Sequence, residues 1–254
     1  MTSEVIVKAE NGIQIITINR PEAKNAMSKA AAEGIAAAID ELESRADLTV
    51  AILTGAGGTF CSGMDLKGFL RGERPSVEGR GFGGITERPP RKPIIAAVEG
   101  YALAGGFELA LACDLIIAAE DAKFGVPEVK RGLVAAAGGV IRLPRRIPYH
   151  VAMEYVLTGD HMPAADAHRF GLVNKLVPKG QALQGAIEMA ARITANGPLA
   201  IAASKRIVAE SFDWHAEEMW KKQAEIIAPV FTSADAREGA AAFAEKRAPK
   251  WQGK

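Results

Sequence analysis

The sequence predicts a layered α/β fold, and three observations carry that reading. Apolar runs of strand length occur at Thr49–Thr54, Ile94–Glu99 and Leu115–Ala119, interleaved with glycine turns and short helical stretches. From Pro148 onward, apolar residues recur mainly at helical spacing. The chain has 254 residues, 48% hydrophobic and 24% charged, which is enough for one large core or a core with an appendage. In such folds the loops at strand ends carry the chemistry.

In chain order, Val5–Val7 and Ile13–Asn19 alternate in polarity around Asn11-Gly12, a hairpin signal. Ser28 is placed to cap a helix running to about Arg45. The Thr49–Thr54 strand ends at Gly55-Ala56-Gly57-Gly58. Arg71–Arg91, rich in Gly, Pro and charge, is the one long loop-like stretch and the candidate for a mobile pocket wall. Strand Ile94–Glu99, helix Gly105–Ala112 and strand Leu115–Ala119 follow. Helices are then expected at Tyr149–Leu157, Pro163–Phe170, Ala182–Ala195, Pro198–Glu210, Asp213–Ile227 and Ala234–Lys246, with one strand at Leu172–Val177. Residues 1–195 are read as the core and 196–254 as a helical region that packs on it and supplies a subunit interface.

Composition narrows the function classes. A net charge of +1 supplies no global field for nucleic acid or an anionic membrane, and 6% aromatic residues argue against base-stacking platforms. Cys61 and Cys113 lack metal or disulfide spacing and read as reduced core thiols. The four histidines form no ligand pattern, so no metal site is expected. No secretory leader and no uncharged apolar run of spanning length is seen, so a cytoplasmic protein is expected. Gly79-Arg80-Gly81-Phe82-Gly83-Gly84 matches a dinucleotide pattern but lacks the strand before it and the helix after it.

The chemistry-bearing residues are acids in apolar surroundings. Glu99, Glu108 and Asp114 interrupt the apolar run Ile94–Ala119, and Glu128 follows in Phe124-Gly125-Val126-Pro127-Glu128-Val129. A carboxylate there is costly unless partnered. Glu108 and Glu128 therefore read either as paired acid/base groups or as buried ion-pair partners of Lys or Arg. Gly105-Gly106 opens a helix whose free N–H groups can face a ligand oxygen, and Phe60-Cys61-Ser62-Gly63-Met64-Asp65-Leu66 offers a second glycine turn. Close helix–strand packing would explain either glycine turn alone.

At these residues the chain resembles the crotonase superfamily, the enoyl-CoA hydratase/isomerase family. The resemblance runs from Ile13 to about Trp251 and rests on Asn19-Arg20-Pro21-Glu22-Ala23-Lys24-Asn25-Ala26-Met27, the Phe60–Leu66 turn, Ala102–Asp114, Phe124–Glu128, Gly138-Gly139-Val140-Ile141-Arg142-Leu143-Pro144-Arg145, Ala167-His168-Arg169-Phe170-Gly171-Leu172-Val173 and Phe243-Ala244-Glu245-Lys246-Arg247. It implies a core of ββα repeats wound into a superhelix, a helical C-terminal trimerisation region, and a homotrimer or a homohexamer built as a dimer of trimers. It also implies an acyl-CoA substrate, coenzyme A being part of that substrate and no cofactor being needed.

By position in the family's motifs, the Met64 and Gly105 N–H groups form the oxyanion hole for the thioester carbonyl. Glu108 orients and deprotonates water, and Glu128 protonates the α-carbon. Lys24, Ala26, Ser62, Asp65 and Leu66 fall where coenzyme A lies, and Phe243 and Lys246 match C-terminal positions that reach it. Two acids favour enoyl-CoA hydration over isomerisation. Ala136, flanked by alanines eight residues beyond Glu128, removes a dehalogenase's aspartate. Isomerase, carnitinyl-CoA dehydratase-like and non-catalytic acyl-CoA-binding roles are the alternatives. Ala104 stands where many hydratases have the first of three glycines, and Phe107 adds bulk beside Glu108; both are expected to bear on substrate shape.

Overall fold

The structure, a computed structural model, describes residues 3–254. Strands β1 (Val5–Glu10) and β2 (Ile13–Ile18) form the hairpin, with Asn11 and Gly12 both at positive φ as its two-residue turn requires. Helix α1 (Lys29–Ser44) starts where Ser28 Oγ accepts the Ala31 N–H at 3.0 Å. It buries Ala31, Ala32, Ile35, Ile39 and Leu42, and Lys92 Nζ gathers the carbonyls of Leu42, Arg45 and Leu48 at and beyond its end. Strand β3 (Val50–Gly55), helix α2 (Leu66–Leu70) and the small hairpin β4 (Ser76–Val77) and β5 (Gly81–Phe82) follow. Next come β6 (Ile94–Val98), β7 (Tyr101–Leu103), α3 (Gly105–Ala112), β8 (Leu115–Ala119) and β9 (Lys123–Gly125). The chain continues through α4 (Gly139–Arg142), α5 (Tyr149–Thr158), β10 (Met162–Pro163), α6 (Ala164–Arg169) and β11 (Lys175–Val177). It ends with α7 (Ala182–Thr194), α8 (Pro198–Glu210), α9 (Met219–Phe231) and α10 (Ala234–Glu245).

The main sheet has the order β1-β2-β3-β6-β8-β11, parallel apart from the β1–β2 pair. Both faces are covered, as a parallel sheet demands. Ala51, Leu53, Ala96, Val98, Ile116 and Ala118 face the α1 side, while Val50, Ile52, Ile95, Ala97 and Ile117 meet Ala182, Ala186 and Ala190 of α7. Each fully buried Ile or Leu of this set contributes roughly 1.5–3 kcal/mol.

A second, smaller sheet runs β10-β9-β7, and its pattern continues through bridges from Ala102 to Cys61 and from Met64 to Met27. One strand in each sheet followed by a helix is the ββα repeat that the resemblance implies. β7 and β9 are three residues each, too short to stand apart from their apolar surroundings in the sequence.

Three expectations shift. Arg71–Arg91 holds the β4–β5 hairpin, and its second half is anchored: Ile85 is fully buried, and Gly84 sits so close to α1 that a Cβ would lie 2.7 Å from the Ala32 carbonyl oxygen. Its glycines 81, 83 and 84 take positive φ, so the spaced-glycine run is turn chemistry. The strand expected from Leu172 begins at Lys175, because the Leu172 and Val173 N–H groups donate to the Ala167 carbonyl to close α6. The helix expected from Asp213 starts at Met219, after a 3-10 turn at Ser211–Asp213 and extended backbone at Trp214.

Two of the three acids in the apolar run are structural. Glu99 accepts the Gly180 and Ala182 N–H groups at 3.0 and 2.8 Å, which fixes the start of α7. Asp114 pairs with Lys205 of α8 at 2.6 Å and accepts the Ile94 N–H. Beyond that tie, α8–α10 leave Phe212, Trp220, Phe231 and Phe243 exposed.

Candidate active site

Main-chain pairing brings the two glycine turns together. The Phe60 N–H donates to Glu99, the Cys61 N–H to Tyr101 and the Leu103 N–H to Cys61, so 60–61 runs as an extra strand beside β7. The loops leaving those strands, 62–64 and 104–105, therefore emerge side by side. Their spacing is close: a Cβ on Gly63 would lie 2.9 Å from Ala104 Cβ and 3.6 Å from the Gly105 nitrogen. The Met64 bridge to Met27 uses the Met27 and Asp65 N–H groups and leaves the Met64 N–H without an acceptor among the described residues. Gly105 is the first residue of α3, so its N–H has no intrahelical acceptor and lies at the positive end of the helix dipole. Two unsatisfied N–H donors on adjacent loops can stabilise one developing oxyanion.

Ala104 supports this turn at a conformational cost. Its φ of 51° and ψ of −131° lie in a region suited to glycine. The Phe82 ring lies against Gly105, where a Cβ would fall 2.4 Å from the ring. The β4–β5 hairpin thus covers the Gly105 turn with an aromatic face. Phe107 instead buries its ring in the core against Phe124, with ring centroids 5.4 Å apart.

The two remaining acids behave differently from Glu99 and Asp114. Glu108, on the first turn of α3, is buried, and its Oε1 accepts the Ala137 and Gly139 N–H groups at 2.7 and 2.8 Å. Burial lifts its pKa above the ordinary carboxylate value, opposed by those two donors and by the nearby Arg142 charge. Glu128 sits in a 3-10 turn at Pro127–Arg131, and its Oε2 is buried without a partner among the described residues. Burial pushes it up to about 7, and the Glu108 charge adds to the rise. Among the described residues neither acid forms an ion pair. Pairing with Lys or Arg therefore accounts for neither acid, and the two are neighbouring buried carboxyls of unequal proton affinity.

The segments expected to meet coenzyme A also converge. Residues 24–27 pair with 62–65 through Ser62 N–H to Lys24, Met27 N–H to Gly63 and Asp65 N–H to Met27. Lys24 is exposed in a left-handed turn, with Nζ 6.0 Å from the Tyr101 ring centroid. The Ala26 carbonyl accepts from Arg20, and Leu66 opens α2 exposed. Asp65 caps α2 through the Lys67 and Gly68 N–H groups and pairs with Arg20 at 2.8 Å, so its carboxylate is already engaged. Phe243 and Lys246, at the end of α10, are joined to these loops by no hydrogen bond or ion pair among the described residues, and Phe243 is 88% exposed. A groove of about 920 Å³ between α8 and the core, lined by Leu115, Ile201, Lys205 and Phe212 among others, includes neither Glu108 nor Glu128.

Sequence reading missed the Ala137 and Gly139 donors, the Arg142 guanidinium and the Phe82 cover. Gly138-Gly139 is a visible signal, but which acid it serves depends on a contact across about thirty residues.

The family model described as enoyl-CoA hydratase/isomerase matches residues 8–254. The chain is 42% identical to enoyl-CoA hydratase EchA19 of Mycobacterium tuberculosis, over 98% of this chain and 96% of that protein. It is also 42% identical to the carnitinyl-CoA dehydratase of Salmonella typhi, over 99% of this chain and 100% of that one. Among solved structures, an enoyl-CoA hydratase from Mycobacterium tuberculosis H37Rv superposes with a TM-score of 0.98 at 62% identity, covering 100% of both chains. On a match of this extent, the chain belongs to the enoyl-CoA hydratase/isomerase family.

Proposed function

We propose that the chain is an enoyl-CoA hydratase, adding water reversibly across the 2,3 double bond of an enoyl-CoA thioester to give the 3-hydroxyacyl-CoA. The observation that carries this reading is the unequal pair: Glu108 is anchored by two N–H groups, and Glu128 has an unpartnered buried oxygen and a proton affinity near neutrality. Ionised Glu108 orients water through its remaining oxygen and takes a proton as the water attacks the β-carbon. The Met64 and Gly105 N–H groups stabilise the enolate oxygen, each such donor contributing about 3–4 kcal/mol in the transition state. Protonated Glu128 then delivers a proton to the α-carbon. No group outside the chain and the acyl-CoA is required, so no cofactor is proposed.

Lys24, Ala26, Ser62, Asp65 and Leu66 are assigned to the coenzyme A side, Asp65 through its hold on the 62–66 turn. Residues 1–195 carry the chemistry. Residues 196–254, with exposed Phe212, Trp220, Phe231 and Phe243, supply the contacts of a homotrimer or a dimer of trimers, in which Phe243 and Lys246 reach coenzyme A. No helix among the described residues is long and apolar enough to cross a membrane, and the buried thiols of Cys61 and Cys113 accord with work in the cytoplasm. The near-neutral charge gives no reason to invoke nucleic acid.

The test follows loss of the conjugated thioester absorbance on short, medium, long and bulky enoyl-CoAs, with Glu108→Gln and Glu128→Gln alongside. Hydration lost in both folded variants supports the reading and ranks the acyl chains. A 3-enoyl substrate giving only the conjugated product would replace it with isomerisation, and product binding without turnover would replace it with a sequestering role. The named carnitinyl-CoA dehydratase relative makes dehydration of a 3-hydroxyacyl-CoA, carnitinyl-CoA included, the reverse arm of the same assay.

A further inference from the structure

Arg142 ends α4, half-buried, and forms no ion pair among the described residues. Its fork is engaged by two carbonyls, one from the turn just before α4 and one from a segment 56 residues away. Nη1 donates to Ala137 O at 3.3 Å and Nη2 to Thr86 O at 2.5 Å. A guanidinium withdrawn from water onto neutral acceptors alone is costly, and burial depresses its pKa. The charged group that favours its protonated form most is Glu108.

The position of the gripped carbonyl matters. Peptide 137–138 lies between the two peptides whose N–H groups, those of Ala137 and Gly139, hold Glu108 Oε1. Gly138, at φ +98°, makes the grip possible, since a Cβ there would lie 2.1 Å from Arg142 Nη1. The other carbonyl belongs to the segment that carries Phe82, whose ring lies against Gly105, and the Thr86 N–H donates back to Phe82 O at 3.4 Å.

We propose that Arg142 is a positioning residue: its guanidinium bolts the Phe82-bearing wall, through Thr86, to the turn that aims the Glu108 carboxylate, through Ala137. The proposal rests on the reading of Glu108 as the base of hydration. Arg142 acts twice, by geometry through the peptide it grips and by charge on Glu108 itself. Lysine keeps the charge and loses the fork, and methionine loses both.

The test uses the full-length protein with Arg142→Lys and Arg142→Met, with three readouts. Steady-state hydration is followed against pH, the Glu108 carboxyl is titrated by NMR with Glu108→Gln for assignment, and amide exchange is measured at Ala137 and Gly139. Arg142→Met is expected to lower kcat ~10- to 100-fold with KM within about 3-fold of the parent, and to move the Glu108 midpoint and the acid limb of the rate upward. Arg142→Lys is expected to leave the midpoint in place, yet to speed Ala137 and Gly139 exchange and lower kcat. Parent-like exchange at both amides in Arg142→Lys overturns the positioning role, and it does so even where Arg142→Met does not fold. An unmoved Glu108 midpoint in folded Arg142→Met overturns the charge role. If the parent hydrates no enoyl-CoA, the hydratase reading fails, while the titration and exchange still decide what Arg142 does to Glu108.

Discussion

Gly139 donates its N–H to Glu108 Oε1 at 2.8 Å, and a Cβ on that glycine would lie 3.0 Å from Glu108 Cγ. The turn at 137–139 and the carboxylate it holds are therefore fitted to each other, and Glu108 cannot swing toward that side. One oxygen is committed to the backbone, and the proposed mechanism uses the other for water. Glu108→Gln preserves an acceptor for both N–H groups while removing the base. It is expected to lower kcat by ~10²- to 10⁴-fold with thermal stability unchanged or raised, since a buried charge is lost. Parent-like turnover in this variant would remove Glu108 from the chemistry.

Glu128 ties stability to pH. Its pKa is about 7 in the folded chain against 4.5 as the ordinary value, so the folded state keeps a proton that the unfolded chain releases. Stability from this group is therefore full below about pH 4.5 and falls as pH rises through 7, with Glu108 adding a slope of the same sign. Glu128→Gln is expected to match the parent near pH 4.5 and to exceed it at pH 8 by roughly 2–3 kcal/mol in denaturant unfolding. A gap that stays constant across that range would contradict the assignment.

The same two acids set the rate profile. The proposed mechanism needs Glu108 ionised and Glu128 protonated, which predicts a bell in kcat/KM. Its alkaline limb should fall near 7, and its acid limb should lie above the ordinary carboxylate value. Both limbs belong to the pair. A rate that keeps rising past pH 8 would contradict the need for a protonated carboxyl in the pair.

Ala104 is a strained residue that glycine would relieve. Ala104→Gly gives up some unfolded-state advantage but removes a side chain from φ 51°, ψ −131°, for an expected net gain of roughly 1 kcal/mol. Urea unfolding measures it. A lower midpoint with an unchanged m-value would show that the methyl packs better than it strains.

Gln14 is fully buried in β2, and among the described residues neither its amide nitrogen nor its oxygen has a partner. Gln14→Leu removes two unsatisfied polar atoms from the interior and is expected to raise stability by about 1–3 kcal/mol. Loss of stability would point to a buried water serving that amide.

The amino-acid order by itself determined whatever local chemistry controls. Asn11-Gly12 dictates the first hairpin, Ser28 the start of α1, and the apolar runs at 50–54, 94–98 and 115–119 the buried parallel strands. The isolation of Glu108 and Glu128 in apolar sequence was legible because an unpaired carboxylate is too costly to bury without reason. Glu99 and Asp114 looked the same in the sequence. Only the tertiary structure separated the four acids, by giving Glu99 the N–H groups of α7 and Asp114 the Lys205 ammonium while leaving Glu128 Oε2 without a partner. The juxtaposition of the Met64 and Gly105 turns, the Phe82 ring over Gly105 and the grip of Arg142 likewise depend on strand pairing and packing between segments tens of residues apart. Those contacts are set by the register of the two sheets as a whole, and no short stretch of sequence carries that information.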